Sequence, residues 1–271
     1  MPNHPTLEIC VESVDHAVAA ERGGAHRLEL CSDLSSGGIT PSAGFMQTAR
    51  RHAKLPIHVL IRPRPGDFCY SDHALEIMRR DIETAKQVGM DGIVLGVLHP
   101  NNHVDIAQTR GLVQLANPLP VTFHRAFDAS HNLETSLEDV IQTGASRILT
   151  SGGEASAMEA VSTLARLVQA ARGRILVMPC GGINSDNIVR VARTTLAEEF
   201  HTSVGTSHPR SPNTHGRLSH GNDAAASSLP AAAFEERVRN LVNLLRGLAD
   251  SSLFKAPPAD AGPPQSKEPT A

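Results

Sequence analysis

Apolar and polar residues alternate over two short runs that nearly repeat one another, Leu7-Glu8-Ile9-Cys10 and Leu28-Glu29-Leu30-Cys31. Alternation of this kind predicts strands, whose successive side chains face opposite ways. Glu8 and Cys10 then share one face, and Glu29 and Cys31 share the matching face of a second strand. If the two strands are parallel neighbours, the runs are expected to stand level, with two thiols near the strand ends and two carboxylates beneath them. A carboxylate on the inner face of a buried strand is costly unless it has a partner or a task. The repeat therefore marks a candidate site.

The pattern continues as strand and helix in turn. Strands are predicted over 6–11, 26–31, 56–62, 92–96, 120–124, 147–151, 174–179 and 198–203. Helices are predicted over 13–22, with Ser13 as cap and Gly23-Gly24 as stop, and over 41–52, with Pro41 at its start. Further helices are predicted over 72–88, 105–116, 132–143, 155–171, 184–194 and 233–248. Eight βα units with a helix in every crossover predict a TIM (β/α)8 barrel, an α/β fold, as a single domain over 6–248. A doubly wound open sheet is the alternative, but no G-x-G-x-x-G turn follows the first strand. Two segments break the pattern. Residues 208–228 are rich in Ser, His, Asn and Gly, and are expected to form a flexible loop. The Pro-rich tail over 249–271 is expected to be disordered.

Composition narrows the partners. The chain has 271 residues, 40% of them hydrophobic and 3% aromatic, so a large core must be mainly aliphatic. A net charge of −3 makes nucleic acid a poor partner. No run reaches the roughly 20 apolar residues of a membrane span. The first strand begins so close to Met1 that no signal peptide is expected, and four cysteines in a chain of this size fit a reduced, cytoplasmic setting.

In such a barrel the chemistry gathers at the C-terminal ends of the strands. The first two strands bring Glu8, Cys10, Glu29 and Cys31 there. The third carries His58, Leu60 and Arg62 on its inner face, then enters a loop with Arg64 and Asp67. The fifth ends in His124 and Arg125, with Asp128 in the next turn. Ser151-Gly152-Gly153 and Cys180-Gly181-Gly182 follow the sixth and seventh, and the eighth contains Glu199 and His201.

These motifs resemble the CutC family of copper homeostasis proteins. The resemblance rests on the two strand runs and on Gly23-Gly24-Ala25-His26-Arg27, Gly37-Gly38-Ile39-Thr40-Pro41-Ser42 and Ile61-Arg62-Pro63-Arg64. It rests equally on Gly66-Asp67-Phe68-Cys69-Tyr70-Ser71-Asp72, Thr122-Phe123-His124-Arg125-Ala126-Phe127-Asp128, Ile148-Leu149-Thr150-Ser151-Gly152 and Glu199-Phe200-His201-Thr202-Ser203. Together they span roughly 6–203. The resemblance implies a TIM barrel, a cytosolic homo-oligomer and copper handling, with the metal falling on Cys10 and Cys31. The chain departs from the family in having Cys180 where Gly is usual, and in everything after Ser203.

Two readings stay open. In the first, Cys10 and Cys31 hold Cu(I), a soft ion suited to thiolates, for trafficking or buffering. Zinc is disfavoured, because it usually takes four ligands and no CxxC spacing is present. In the second, the mouth is the active site of an unidentified enzyme acting on a small anionic substrate, a carboxylate or a phosphate. Glu8, Glu29, His124 and His201 then supply acid–base groups or divalent-metal ligands. Arg62, Arg64 and Asp67 clamp the anion, together with Arg125, Asp128, Ser151, Gly152, Gly181 and Gly182. Against both stand plainer roles, with cysteines as small core residues and arginines in structural ion pairs.

Overall fold

The computed structural model describes residues 5–204 and 229–249. The loop expected over 208–228 lies outside them, as does the tail expected over 249–271 except for Ala249, the last residue of the final helix. The strands are β1 (Thr6–Val11), β2 (Arg27–Leu30), β3 (Ile57–Leu60), β4 (Gly92–Leu95), β5 (Val121–Phe123), β6 (Arg147–Thr150), β7 (Leu176–Pro179) and β8 (Glu199–Thr202). Between them run α1 (Val14–Arg22), α2 (Ala43–His52), α3 (Asp72–Val88), α4 (Ile106–Ala116), α5 (Leu133–Thr143), α6 (Val161–Ala171) and α7 (Ile188–Thr195), with α8 (Ala231–Ala249) last. All strand pairs are parallel, in the order β7-β6-β5-β4-β3-β2-β1-β8. This is a nearly closed TIM-like barrel, and its one seam lies between β7 and β8.

Local chemistry sets the helix limits. Side chains of Ser13, Ser71 and Asn132 accept backbone N–H groups at the starts of α1, α3 and α5, satisfying donors the helix leaves free. Gly89 and Gly144 end α3 and α5 in the left-handed conformation that glycine adopts without strain. Three helices begin two or more residues later than the pattern predicts, α7 among them at Ile188 instead of 184. Ser42, not Pro41, is the cap of α2. Residues 155–160 form turns instead of the first part of α6, because the Ala157 N–H is drawn to the Gly181 carbonyl at 2.9 Å.

The two faces of the sheet differ in kind. Leu7, Ile9, Leu28, Leu30, Ile57, Val59, Ile93 and Leu95 point outward and are buried beneath the helices. Each such side chain contributes about 1.5–3 kcal/mol through burial. The inner face is polar through much of its depth, and it positions the site.

Candidate functional site

The parallel register does not set the repeated runs level. Cys10 stands opposite Glu29, and Glu8 stands opposite Arg27, so β2 is displaced by two residues relative to the expected match. The slant of strands in a closed barrel produces this offset, and it sorts the interior into two layers.

The lower layer is an ionic network. Glu8 is fully buried, accepting from Arg27 Nε at 2.5 Å while its other oxygen lies 2.7 Å from His201 Nδ1. Arg27 Nη2 donates to Glu199 Oε2 at 2.5 Å, and Arg147 Nε donates to the same oxygen at 2.7 Å. Burial alone would raise the pKa of Glu8, but the Arg27 charge and the His201 hydrogen bond hold it well below the carboxylate range. Glu199 is likewise held down, the bonds from Arg147 and Arg27 overcoming its desolvation. Two guanidinium groups and two carboxylates thus offset one another inside the barrel. Sequence reasoning passed over Arg27 and Arg147, although Arg27 precedes Glu29 by two residues and Arg147 precedes Ser151 by four. Alternation alone places both on the inner face.

The upper layer holds the thiols. Cys10 Sγ and Cys31 Sγ lie 3.2 Å apart, both buried and free. Cys10 Sγ donates to Glu29 Oε1 at 3.6 Å. Both cysteines are free thiols, and their sulfurs stand well beyond the roughly 2.05 Å of a disulfide bond. Cys10, Glu29 and His201 each turn one ligand atom to within 4.8 Å of the others. The hydrogen bond with Cys31, followed by burial, raises the Cys10 thiol well above its ordinary value. Burial pushes Glu29 up to about 7 despite the opposing charge of His201. Its Oε2 has no hydrogen-bond partner. Burial would lower His201, but the charges and hydrogen bond from Glu29 and Glu8 raise it.

Two other inner histidines stay neutral. Burial takes His58 down to about 4 and His124 down to about 3. Their rings lie across β4, where Gly92 and Gly96 leave room. A Cβ at position 92 would come within 2.4 Å of the His58 ring, and one at position 96 within 2.7 Å of His124 Nδ1. The Ala126 N–H bonds to His124 Nδ1 at 3.2 Å, while Nε2 has no partner.

The arginines of the mouth mainly tie loops. Arg62 donates to the carbonyls of Gly38 and Gly66, each at 2.8 Å, while its Nε is buried without a partner. Arg64 donates to Asp67 Oδ1 at 2.6 Å and to the Cys69 carbonyl at 2.5 Å. Asp128 gathers Arg125 Nε at 2.8 Å, Ser151 Oγ at 2.9 Å and Thr150 Oγ1 at 2.5 Å. It also takes the backbone N–H groups of Ser151 and Gly153. Gly152, Gly181 and Gly182 all have positive φ, which shapes the turns after β6 and β7. Cys180 is buried beside Leu149 and Met178, and burial raises its thiol. The structure therefore brings together Glu8, Cys10, Glu29, Cys31 and His201, with Arg125, Asp128 and Ser151 as a separate cluster.

The CutC family's sequence pattern matches residues 5–206. The chain belongs to the CutC family. It is 48% identical over 198 residues to the human copper homeostasis protein cutC homolog, covering 73% of this chain and 72% of the human one. A CutC family protein of Chromobacterium violaceum is also 48% identical over 198 residues, covering 73% of this chain and 80% of its own. The crystal structure of CutC from Streptococcus agalactiae shares the fold with a TM-score of 0.69 at 31% identity, covering 73% of this chain and 98% of that one. The CutC match ends just beyond β8, close to the end of the Glu199–Ser203 motif. Among the described residues no helix is long and apolar enough to cross a membrane.

Proposed function

We propose that this protein handles copper in the cytoplasm, as a homo-oligomer that carries or buffers Cu(I) held by Cys10 and Cys31 at the C-terminal end of the barrel. The observation that carries this reading is the buried thiol pair, 3.2 Å apart on neighbouring strands, with a carboxylate and an imidazole alongside. The names of the human and streptococcal relatives point the same way. Thiolate sulfur is the donor that favours Cu(I) over harder ions, and His201 offers a third ligand.

Both thiols must lose their protons when the ion binds, so affinity is linked to pH. Raising the pH strengthens binding, by up to about two protons' worth per ion. The test is competition between the reduced protein and a Cu(I) chelator, in wild type and in Cys10→Ser with Cys31→Ser. The expected loss exceeds the roughly 100-fold that mutation of outer-shell partners reaches. An unchanged affinity overturns the assignment.

One observation favours a second reading, an enzyme acting on a small anion. Glu29 titrates near neutrality, with a free oxygen beside an imidazole that Glu8 orients. This is the arrangement proton transfer at pH 7 requires. Stabilisation of the wild-type protein by a small carboxylate or phosphate in a thermal-shift screen, lost in Glu29→Gln, supports it. A screen with no hit removes it.

A further inference from the structure

Three histidines converge on the outside of the barrel mouth, away from the thiols. After β4 the chain turns back on itself. Leu98 and Val104 pair as an antiparallel bridge, and the His99 N–H donates to the His103 carbonyl at 2.8 Å. His99 and His103 are therefore the next cross-strand pair. Their side chains share the face opposite the buried Leu98 and Val104, with Cβ atoms about 5 Å apart. The third histidine comes from the loop before α5. Its backbone N–H donates to the Asn102 carbonyl at 2.9 Å, fastening that loop to the turn, and its ring stacks on His103 with centroids 5.3 Å apart. Asn102 has φ +63°, a conformation Asn tolerates better than most residues, and this holds the turn tight.

All three imidazoles are exposed. Among the described residues, the ring nitrogens of His103 and His131 have no hydrogen-bond partner. His99 differs, because its Nδ1 lies 3.5 Å from Asp105 Oδ2. The other Asp105 oxygen accepts the Gln108 N–H at 3.0 Å as the cap of α4, which anchors the carboxylate. A carboxylate facing Nδ1 leaves Nε2 to bind an ion, the carboxylate–histidine–metal arrangement of protein metal sites.

The geometry points to a second metal site, in which His99, His103 and His131 bind a divalent late-transition-metal ion with Asp105 orienting His99. As the rings stand, His103 and His131 stack. Among the described residues only Cys10, Glu29 and His201 already hold three ligand atoms within 4.8 Å of one another, so closing the three imidazoles on one ion calls for rotation of these exposed side chains, a motion of nanoseconds or less. Imidazole donors suit Cu(II) and Zn(II), and reject Mg(II) and Ca(II), which prefer oxygen. The site is independent of Cu(I) at the thiols.

The test uses the full chain carrying Cys10→Ser and Cys31→Ser, so that the thiols take no metal and failure of the Cu(I) reading leaves this result untouched. Zn(II) is titrated by calorimetry, and Cu(II) by electron paramagnetic resonance with nitrogen couplings resolved. Joint His103→Asn and His131→Asn substitution is expected to remove one bound equivalent. Either change alone, or His99→Gln, should weaken that equivalent at least about tenfold. Asp105→Asn should weaken it less. Equal stoichiometry and affinity in all variants overturns the site and assigns any binding to other histidines. In the unsubstituted chain, the imidazole NMR signals of these three residues should shift with Zn(II). If they do not, the site is also overturned.

Discussion

The two inner layers of the barrel use the same residue types to opposite ends. In the lower layer every carboxylate oxygen of Glu8 and Glu199 has a cationic or imidazole partner. Its charges are fixed across the neutral range. In the upper layer Glu29 faces a thiol, keeps one oxygen unpartnered and titrates near 7. Two glutamates, each two residues before a cysteine, thus have opposite pKa shifts because an arginine stands opposite one of them and Cys10 opposite the other. Pairing makes a carboxylate structural. Its absence, in a similarly buried place, leaves one that titrates near neutrality.

The largest expected effect comes from breaking the lower layer. Arg27→Ala leaves two buried carboxylates short of a partner and should destabilise the fold by about 3–5 kcal/mol, measured by urea unfolding. A loss below about 1 kcal/mol would show the layer to be hydrated and weak. Gly92→Ala drives a methyl group into the His58 ring and should cost about 1–3 kcal/mol by overpacking.

The upper layer should respond in the other direction. Because the folded state holds the Glu29 proton up to about pH 7 and the unfolded chain releases it near 4.5, this group's contribution to stability falls as pH rises from 4.5 to 7. Glu29→Gln should therefore stabilise the protein at pH 8, by about 1–3 kcal/mol, and the gain should shrink steadily as pH is lowered through that window. Glu8 has the opposite sign. Its contribution is present above 4.5 and is lost as pH falls below it. A pH profile of thermal stability in wild type and both Glu→Gln variants separates the two layers, and identical profiles would erase the distinction. The smallest effect belongs to the mouth. Arg64→Ala removes an exposed ion pair with Asp67 and should change stability by less than about 1 kcal/mol, with Cu(I) affinity unaltered.

Much of the frame was legible because its signals are local. β1 and α3 match their predicted limits, since alternation defines the first and a Ser cap and a glycine stop define the second. The register between β1 and β2 was not legible. It is set by the tilt of the whole barrel, and the chain between them carries no mark of it. That single unknown decided whether Glu8 would stand beside Glu29 or beside Arg27. For the same reason Arg62 looked like a free clamp in the sequence. Only the fold shows the Gly38 and Gly66 carbonyls that take up its guanidinium.

The seam between β7 and β8 has a consequence for how the barrel closes. Every other neighbouring pair in the sheet is joined by a backbone ladder. Across this one, Arg147 of β6 reaches over β7 to Glu199 of β8, and Thr202 Oγ1 donates to the Ile183 carbonyl at 2.7 Å. Side chains therefore clasp what the backbone leaves open. The order of the sheet begins at β8 and ends at β7, whereas the polypeptide begins at β1, so its two kinds of end do not coincide. A circularly rearranged chain starting at β8 would pair each new strand with the one just made. The native order leaves one edge of β1 unpaired until the last strand arrives.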